Sequence, residues 1–306
     1  MNTPRILSTA IIACATLAAC NSVELIDPPQ PPDNTDTGTG IIPVEVLDYS
    51  PAPGQFVNVL PTFKAGDDAA AMRQKAQEAL NNGHEITLGA FGGSVTLRLS
   101  QAITDAPGPD FRVLGNAIIA GTGSDGRQYG SCEPGIVEVM YDANANGLPD
   151  DTWYELAGSA HSSSVPSFTV RYSAPAADAA DATYIPWEAA DGTSGWLPRL
   201  AAFHSQPYYP QWIQAPTLSF TARRLPDNGV YNPATGRYDL YCLSGYADAY
   251  PDNNDKSCLD IASAIDSDGR TVHLDAIHFI RITTAVLQVN GPLGECSTEV
   301  AGIATP

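Results

Sequence analysis

The string Asp142-Ala-Asn144-Ala-Asn146-Gly147-Leu148-Pro149-Asp150-Asp151 sets an oxygen-bearing side chain at alternate positions and then a glycine. Asp142, Asn144 and Asn146 stand at loop positions 1, 3 and 5, Gly147 supplies the tight turn at 6, the Leu148 carbonyl is offered at 7 and Asp150 at 9. A hard cation such as calcium takes its oxygen ligands from one short loop in this order. Trp153 stands at position 12, where a bidentate Glu usually closes the shell, so Asp151, Glu155 or a distant acid must complete it. The expected role of calcium is structural. The competing reading is an Asx-rich hairpin with no metal. A second acidic segment, Asp248-Ala-Tyr-Pro-Asp252-Asn253-Asn254-Asp255, has the ligand types without the spacing, and Asp266-Ser-Asp268-Gly269 reads as a hairpin turn.

Aromatic side chains are the next group able to recognise something. Trp187, Trp196, Tyr208, Tyr209 and Trp212, with His204 among them, fall in one segment broken by prolines and glycines. Such a segment is expected on long loops at a sheet edge, where amphipathic rings form platforms for sugars or other ring-bearing ligands. The alternative is a hydrophobic cluster beneath a long loop.

Enzyme signatures are missing. The sequence has no GxSxG, HExxH or P-loop string, and His84, His161, His204, His273 and His278 fall singly. Gly121-Thr-Gly123-Ser-Asp-Gly126 matches GxGxxG formally, but no helical pattern follows it, so it reads as a loop. Carboxylates abound, with 34 acidic against 15 basic residues and a formal charge of −19, which argues against nucleic acid as a partner. A glycosidase pair is defined by the spacing of its carboxylates in space, which a sequence does not carry.

The first nineteen residues (1–19) read as an export signal, with Arg5 ahead of an uncharged apolar run too short to span a bilayer. Leu17-Ala18-Ala19-Cys20 resembles the lipobox of bacterial lipoproteins, which implies cleavage before Cys20 and its lipidation; Asn21 after it favours the outer membrane. Residues 20–43 are rich in Pro, Asp, Thr and Gly and read as a tether. Residues 44–306 then form a single calcium-bearing binding domain. Cys132, Cys242, Cys258 and Cys296 remain for disulfides in an oxidising compartment. Cys242 with Cys258 and Cys132 with Cys296 is the preferred pairing, and the sequence leaves the connectivity open.

The elements that must position these groups are mostly strands. Period-two runs at 95–99, 111–113, 136–139, 168–172 and 279–282 predict half-buried strands, punctuated by Gly, Pro, Asn and Asp. A single helix is expected over 67–82, burying Met72, Ala76, Ala79 and Leu80, with Gly83 as its stop. The fold expected is all-β, an antiparallel β-sandwich of jelly-roll, galactose-binding-like type with long loops and one short helix.

Several strings together, LGAFGGSVTLRL (88–99), PGPDFRVLGNA (107–117), GSCEPGIVEVMYDANANGLPDDTWYELAGS (130–159), FHSQPYYPQW (203–212), GYADAYPDNND (245–255) and IRITTAVLQVNGPLGECSTEV (280–300), resemble the Bacteroidetes-type cell-surface lipoproteins labelled PKD-like or cell surface protein. Residues 88–159 bear a looser likeness to discoidin-type, galactose-binding-like sandwiches, and the Asp142 loop to thrombospondin type 3 and dockerin loops. The family resemblance implies surface ligand capture, often beside TonB-dependent receptors, including those for cobalamin. It also implies a second metal cluster near Asp110, Asn116 and Glu133. Cys242, Cys258 and Cys296 depart from the family pattern. The reading reached is a non-catalytic, calcium-stabilised outer-membrane lipoprotein, on the surface or the periplasmic face, that captures a glycan or corrinoid. Its rivals are a glycoside hydrolase or lyase, and an adhesion protein without a small ligand.

Overall fold

A computed structural model describes residues 40–306. The proposed signal peptide, Cys20 and most of the tether lie outside the described residues. Among the described residues, strand Ile41–Ile42, which lies ahead of residue 44, pairs with Gly302–Ala304.

The largest sheet has six antiparallel strands, in the order Ala264–Ile265, Trp153–Leu156, Gly135–Met140, Ala276–Thr284, Ser94–Thr104 and Val44–Ser50. Alternation gives it two unlike faces. Val46, Leu97, Ile280, Val139 and Leu156 point into the main core, together with Val95, Ile282 and Val137. The helix Ala69–Asn81 covers this face with Met72, Ala76 and Leu80. Asp68 caps its first turn by accepting the Ala71 N–H at 2.9 Å. Gln77 reaches from the helix to the outermost strand, where its Oε1 accepts the Val46 N–H at 2.7 Å and its Nε2 donates to the Val44 carbonyl at 2.9 Å. The edge of the sheet is thereby shielded from pairing with another chain.

Three further sheets have four strands each. One comprises Ser194–Leu197, Ile185–Ala189, Val165–Ser173 and Thr217–Arg224; another comprises Gly229–Asn232, Arg237–Tyr241, Gln128–Ser131 and Ile118–Thr122. The third comprises Ile41–Ile42, Gly302–Ala304, Phe111–Leu114 and Cys258–Leu259, and a small ladder joins Glu299–Val300 to Ile86–Thr87. Among the described residues the protein is mostly β with one α-helix, as expected, but the architecture differs from the expected jelly-roll sandwich. Its small sheets form a four-bladed, propeller-like arrangement. A jelly roll packs two large sheets over one shared core. Here the buried apolar side chains fall into separate clusters: one under the six-stranded sheet, a second around Phe91, Tyr172 and Tyr208, and a third around Cys132, Leu240 and Tyr246. Strand alternation specifies that each sheet has an apolar face, and leaves open how many sheets the chain divides into.

Candidate functional site

The outward face of the six-stranded sheet carries a polar row in register. Asp48 pairs with Thr96, Thr96 with Arg281, Arg281 with Glu138, Glu138 with Glu155 and Glu155 with Ile265. Two carboxylates directly opposite on neighbouring strands repel unless each is neutralised. Arg281 donates from Nε and Nη2 to the two oxygens of Glu138 at 2.7 and 2.8 Å, and lies over the Trp153 ring at 4.3 Å. Glu155 is held by Arg223 Nε at 2.5 Å on one oxygen and by His161 Nδ1 at 2.9 Å on the other. Arg223 comes from the neighbouring sheet, and its Nη1 also donates to the Ser164 hydroxyl at 2.9 Å. The two sheets thus bound a cleft of about 620 Å³, walled on one side by Glu138, Trp153 and Arg281 and on the other by Ser167, Thr221 and Arg223. Its size is that of a small-molecule site.

A second constellation lies inside the molecule. Glu133, Asp248 and Glu299 each bring a carboxylate oxygen to within 4.8 Å of the others, which makes them a candidate metal centre. Asp248 is 3 % exposed and sits in the left-handed region at φ 52°. Its oxygens accept the N–H groups of Asn116 and Glu299, each at 3.0 Å. Gly115 is required at its place, because a Cβ there would stand 2.7 Å from Asp248 Oδ1. One oxygen of Glu299 accepts both the Thr87 and Ser297 hydroxyls at 2.9 Å, and Glu133 accepts the Ser297 N–H at 3.0 Å. Burial pushes the Asp248 carboxyl up to about 7. Burial first, and repulsion from its neighbours next, holds Glu133 and Glu299 well above the usual carboxylate range. Nearby, burial pushes Glu295 up to about 7 and Asp252 up to about 6. Carboxyls so placed need protons or a cation to offset the loss of water.

The expected second metal cluster of Asp110, Asn116 and Glu133 is therefore divided. Asn116 and Glu133 meet at Asp248, while Asp110 groups with Asp105 and Asp260, whose oxygens also lie within 4.8 Å of one another. Asp110 is committed to the backbone, accepting the Ala106 and Ile261 N–H groups at 2.8 and 2.9 Å.

The Asp142 loop lies on the surface, and its carboxylates are held by the loop's own amides. Asp142 accepts the N–H groups of Asn146 and Gly147, at 3.1 and 2.9 Å, and Asn146 Oδ1 accepts that of Leu148 at 2.7 Å. Asp150 is held by the Asn144 and Asn146 side-chain amides, and Asp151 accepts the Ala143 N–H at 2.9 Å. Glu155, offered as a completing ligand, instead faces the cleft.

The expected aromatic platform is not formed. Tyr208, Tyr209 and Trp212 are buried at 0, 8 and 9 % exposure. Trp187 packs half-buried on the second cluster, and His204 makes an edge contact with Phe56 at 4.8 Å, leaving Trp196 the exposed member at 53 %. Trp187 and Trp196 lie in paired strands rather than loops, where Pro186 stands opposite Trp196. The disulfide also differs from the preferred pairing. Cys132 joins Cys242, with Cα atoms 5.3 Å apart, while Cys258 and Cys296 are free. Among the residues that sequence reasoning missed, Glu138 and Arg281 carry a signal in hindsight. Each is the lone formal charge, of opposite sign, in its strand and points outward. Glu295, Glu299 and Arg223 carry none.

No helix among the described residues is long and apolar enough to cross a membrane. The sequence matches no protein-family model and no curated protein.

Proposed function

We propose that this protein is a non-catalytic binding module whose ligand, a hydroxyl-rich glycan, lies in the cleft on the polar face of the six-stranded sheet. The carrying observation is the cleft of about 620 Å³ in which arginine–carboxylate pairs stand beside an indole ring. Planar charged pairs present donors and acceptors at the spacing of neighbouring hydroxyls, and the indole offers apolar area. A corrinoid, whose broad macrocycle wants an apolar slot, fits these charged walls less well.

Glycosidase chemistry fits less well too. It requires one carboxyl that begins protonated and a second free to act as base or nucleophile. Glu138 and Glu155 each have both oxygens engaged by Arg or His donors. We further propose that calcium rigidifies the Asp142 loop, which the spacing of Asp142, Asn144, Asn146 and Asp150 supports, and that lipidated Cys20 anchors the protein at the outer membrane. Delivery of the ligand to a TonB-dependent transporter would follow from that placement.

The test is a glycan array probed with the purified protein in calcium and in EDTA, followed by titration of any hit into Trp153→Ala. Binding weakened about thirtyfold or more in that variant is expected of a hot spot. Capture of cobalamin with no glycan bound, or full affinity in Trp153→Ala, would refute the reading.

A further inference from the structure

The short strands Phe111–Leu114 and Cys258–Leu259 pair so that Cys258 stands directly opposite Arg112. Arg112 Nη2 donates to Cys258 Sγ at 3.1 Å, and Nη1 donates to the Asp252 carbonyl. Arg112 is only 8 % exposed, and its Nε–H is buried with no acceptor. Cys258 is half-buried, whereas Cys296, the other free thiol among the described residues, is fully buried.

A guanidinium presents Nε–H and Nη2–H side by side as a rigid fork that matches an acceptor of two atoms. At this site the thiol sulfur meets one prong and nothing meets the other. A buried charged donor without a partner costs free energy, and an oxygen added to the sulfur would supply the missing acceptor.

We infer that Cys258 is a site of oxidation by hydrogen peroxide, and that the resulting sulfenic acid is held in the Arg112 fork. The sulfur attacks one peroxide oxygen, so that an S–O bond forms as the O–O bond breaks. An electron pair passes from sulfur to the departing hydroxide, which takes the thiol proton and leaves as water. The new oxygen accepts from Nε–H. This places a redox-sensitive group where the sheet carrying the chain's terminal strands meets the Asp252 loop.

The experiment treats the full-length protein with hydrogen peroxide and dimedone at neutral pH and follows sulfenic acid trapping peptide by peptide. Cys258 should be trapped faster in the native protein than in the urea-denatured chain, while native Cys296 stays unlabelled. Arg112→Lys keeps the charge and removes the fork, so trapping should slow about tenfold, the scale of one hydrogen bond to a charged group. Native trapping no faster than in the denatured chain would overturn the inference. So would unchanged trapping in an Arg112→Lys protein whose circular dichroism melt is intact. If that variant does not fold, the comparison of native with denatured wild type decides alone.

Discussion

Arg281 shows how one side chain can serve both fold and site. Its Nε and Nη2 close both oxygens of Glu138, and its plane rests on Trp153. About a third of the side chain is exposed, at 31 %, with Glu138 at 28 %, so water screens the pair and its share of stability is modest. Arg281→Ala should therefore lower stability by only about 1 kcal/mol, while it weakens ligand binding tenfold or more, because it frees Glu138 and removes the brace behind the indole. Thermal melts and ligand titrations on the same preparation check this. A large loss of stability with unchanged affinity would assign Arg281 to the fold alone. The pair was half legible in the sequence: its members are the odd charges in IVEVM and FIRIT, but their register across neighbouring strands came only from the sheet.

Among the elements, the helix was the most legible. Residues 67–82 were expected and Ala69–Asn81 is found, since its cap, apolar spacing and glycine stop are all local signals. The aromatic segment was the least legible. Its rings look alike in sequence, yet Trp212 stacks near Tyr49 and Phe63 with centroids 6.4 and 6.3 Å away, whereas Trp196 faces solvent. Trp212→Ala should cost about 3 to 5 kcal/mol, and Trp196→Ala no more than about 0.5 kcal/mol. Urea denaturation of the two variants separates them, and equal costs would contradict this packing. Proline and glycine misled because Pro186 lies just past the rungs that join its strand to Val165–Ser173, which end at Trp187 opposite Tyr172, so its missing N–H breaks no rung on that side.

For the whole molecule, the interior acids tie segments far apart in sequence. Glu133, Asp248 and Glu299 are joined through Ser297 and through backbone N–H groups, and Cys132, beside Glu133, is bonded to Cys242. Each raised carboxyl holds its proton more tightly in the folded chain than in the unfolded one, where carboxyls titrate near about pH 4. For Asp248 and Glu295, each pushed up to about 7, the folded state binds more protons between about pH 4 and about pH 7, so stability falls as pH rises through that window. Below that window the contribution is fully present, and above it the contribution is lost. Melting temperature in EDTA should drop between about pH 5 and about pH 7, and Glu295→Gln should flatten the drop. A melting temperature that rises across that interval would show that the cluster is ionised and held by other charges.

The sequence by itself determined that the chain is mostly β and where the one α-helix among the described residues lies. These are consequences of neighbours within a few positions, governed by dihedral preference, alternation and turn chemistry. Tertiary structure alone decided the division into small propeller-like sheets, the Cys132–Cys242 bond, the burial of the aromatic segment and the meeting of Glu133 with Asp248 and Glu299. Each of those depends on which distant segments share a core, and burial there is nondirectional, so a side chain's own neighbours do not reveal whether it faces water or the interior.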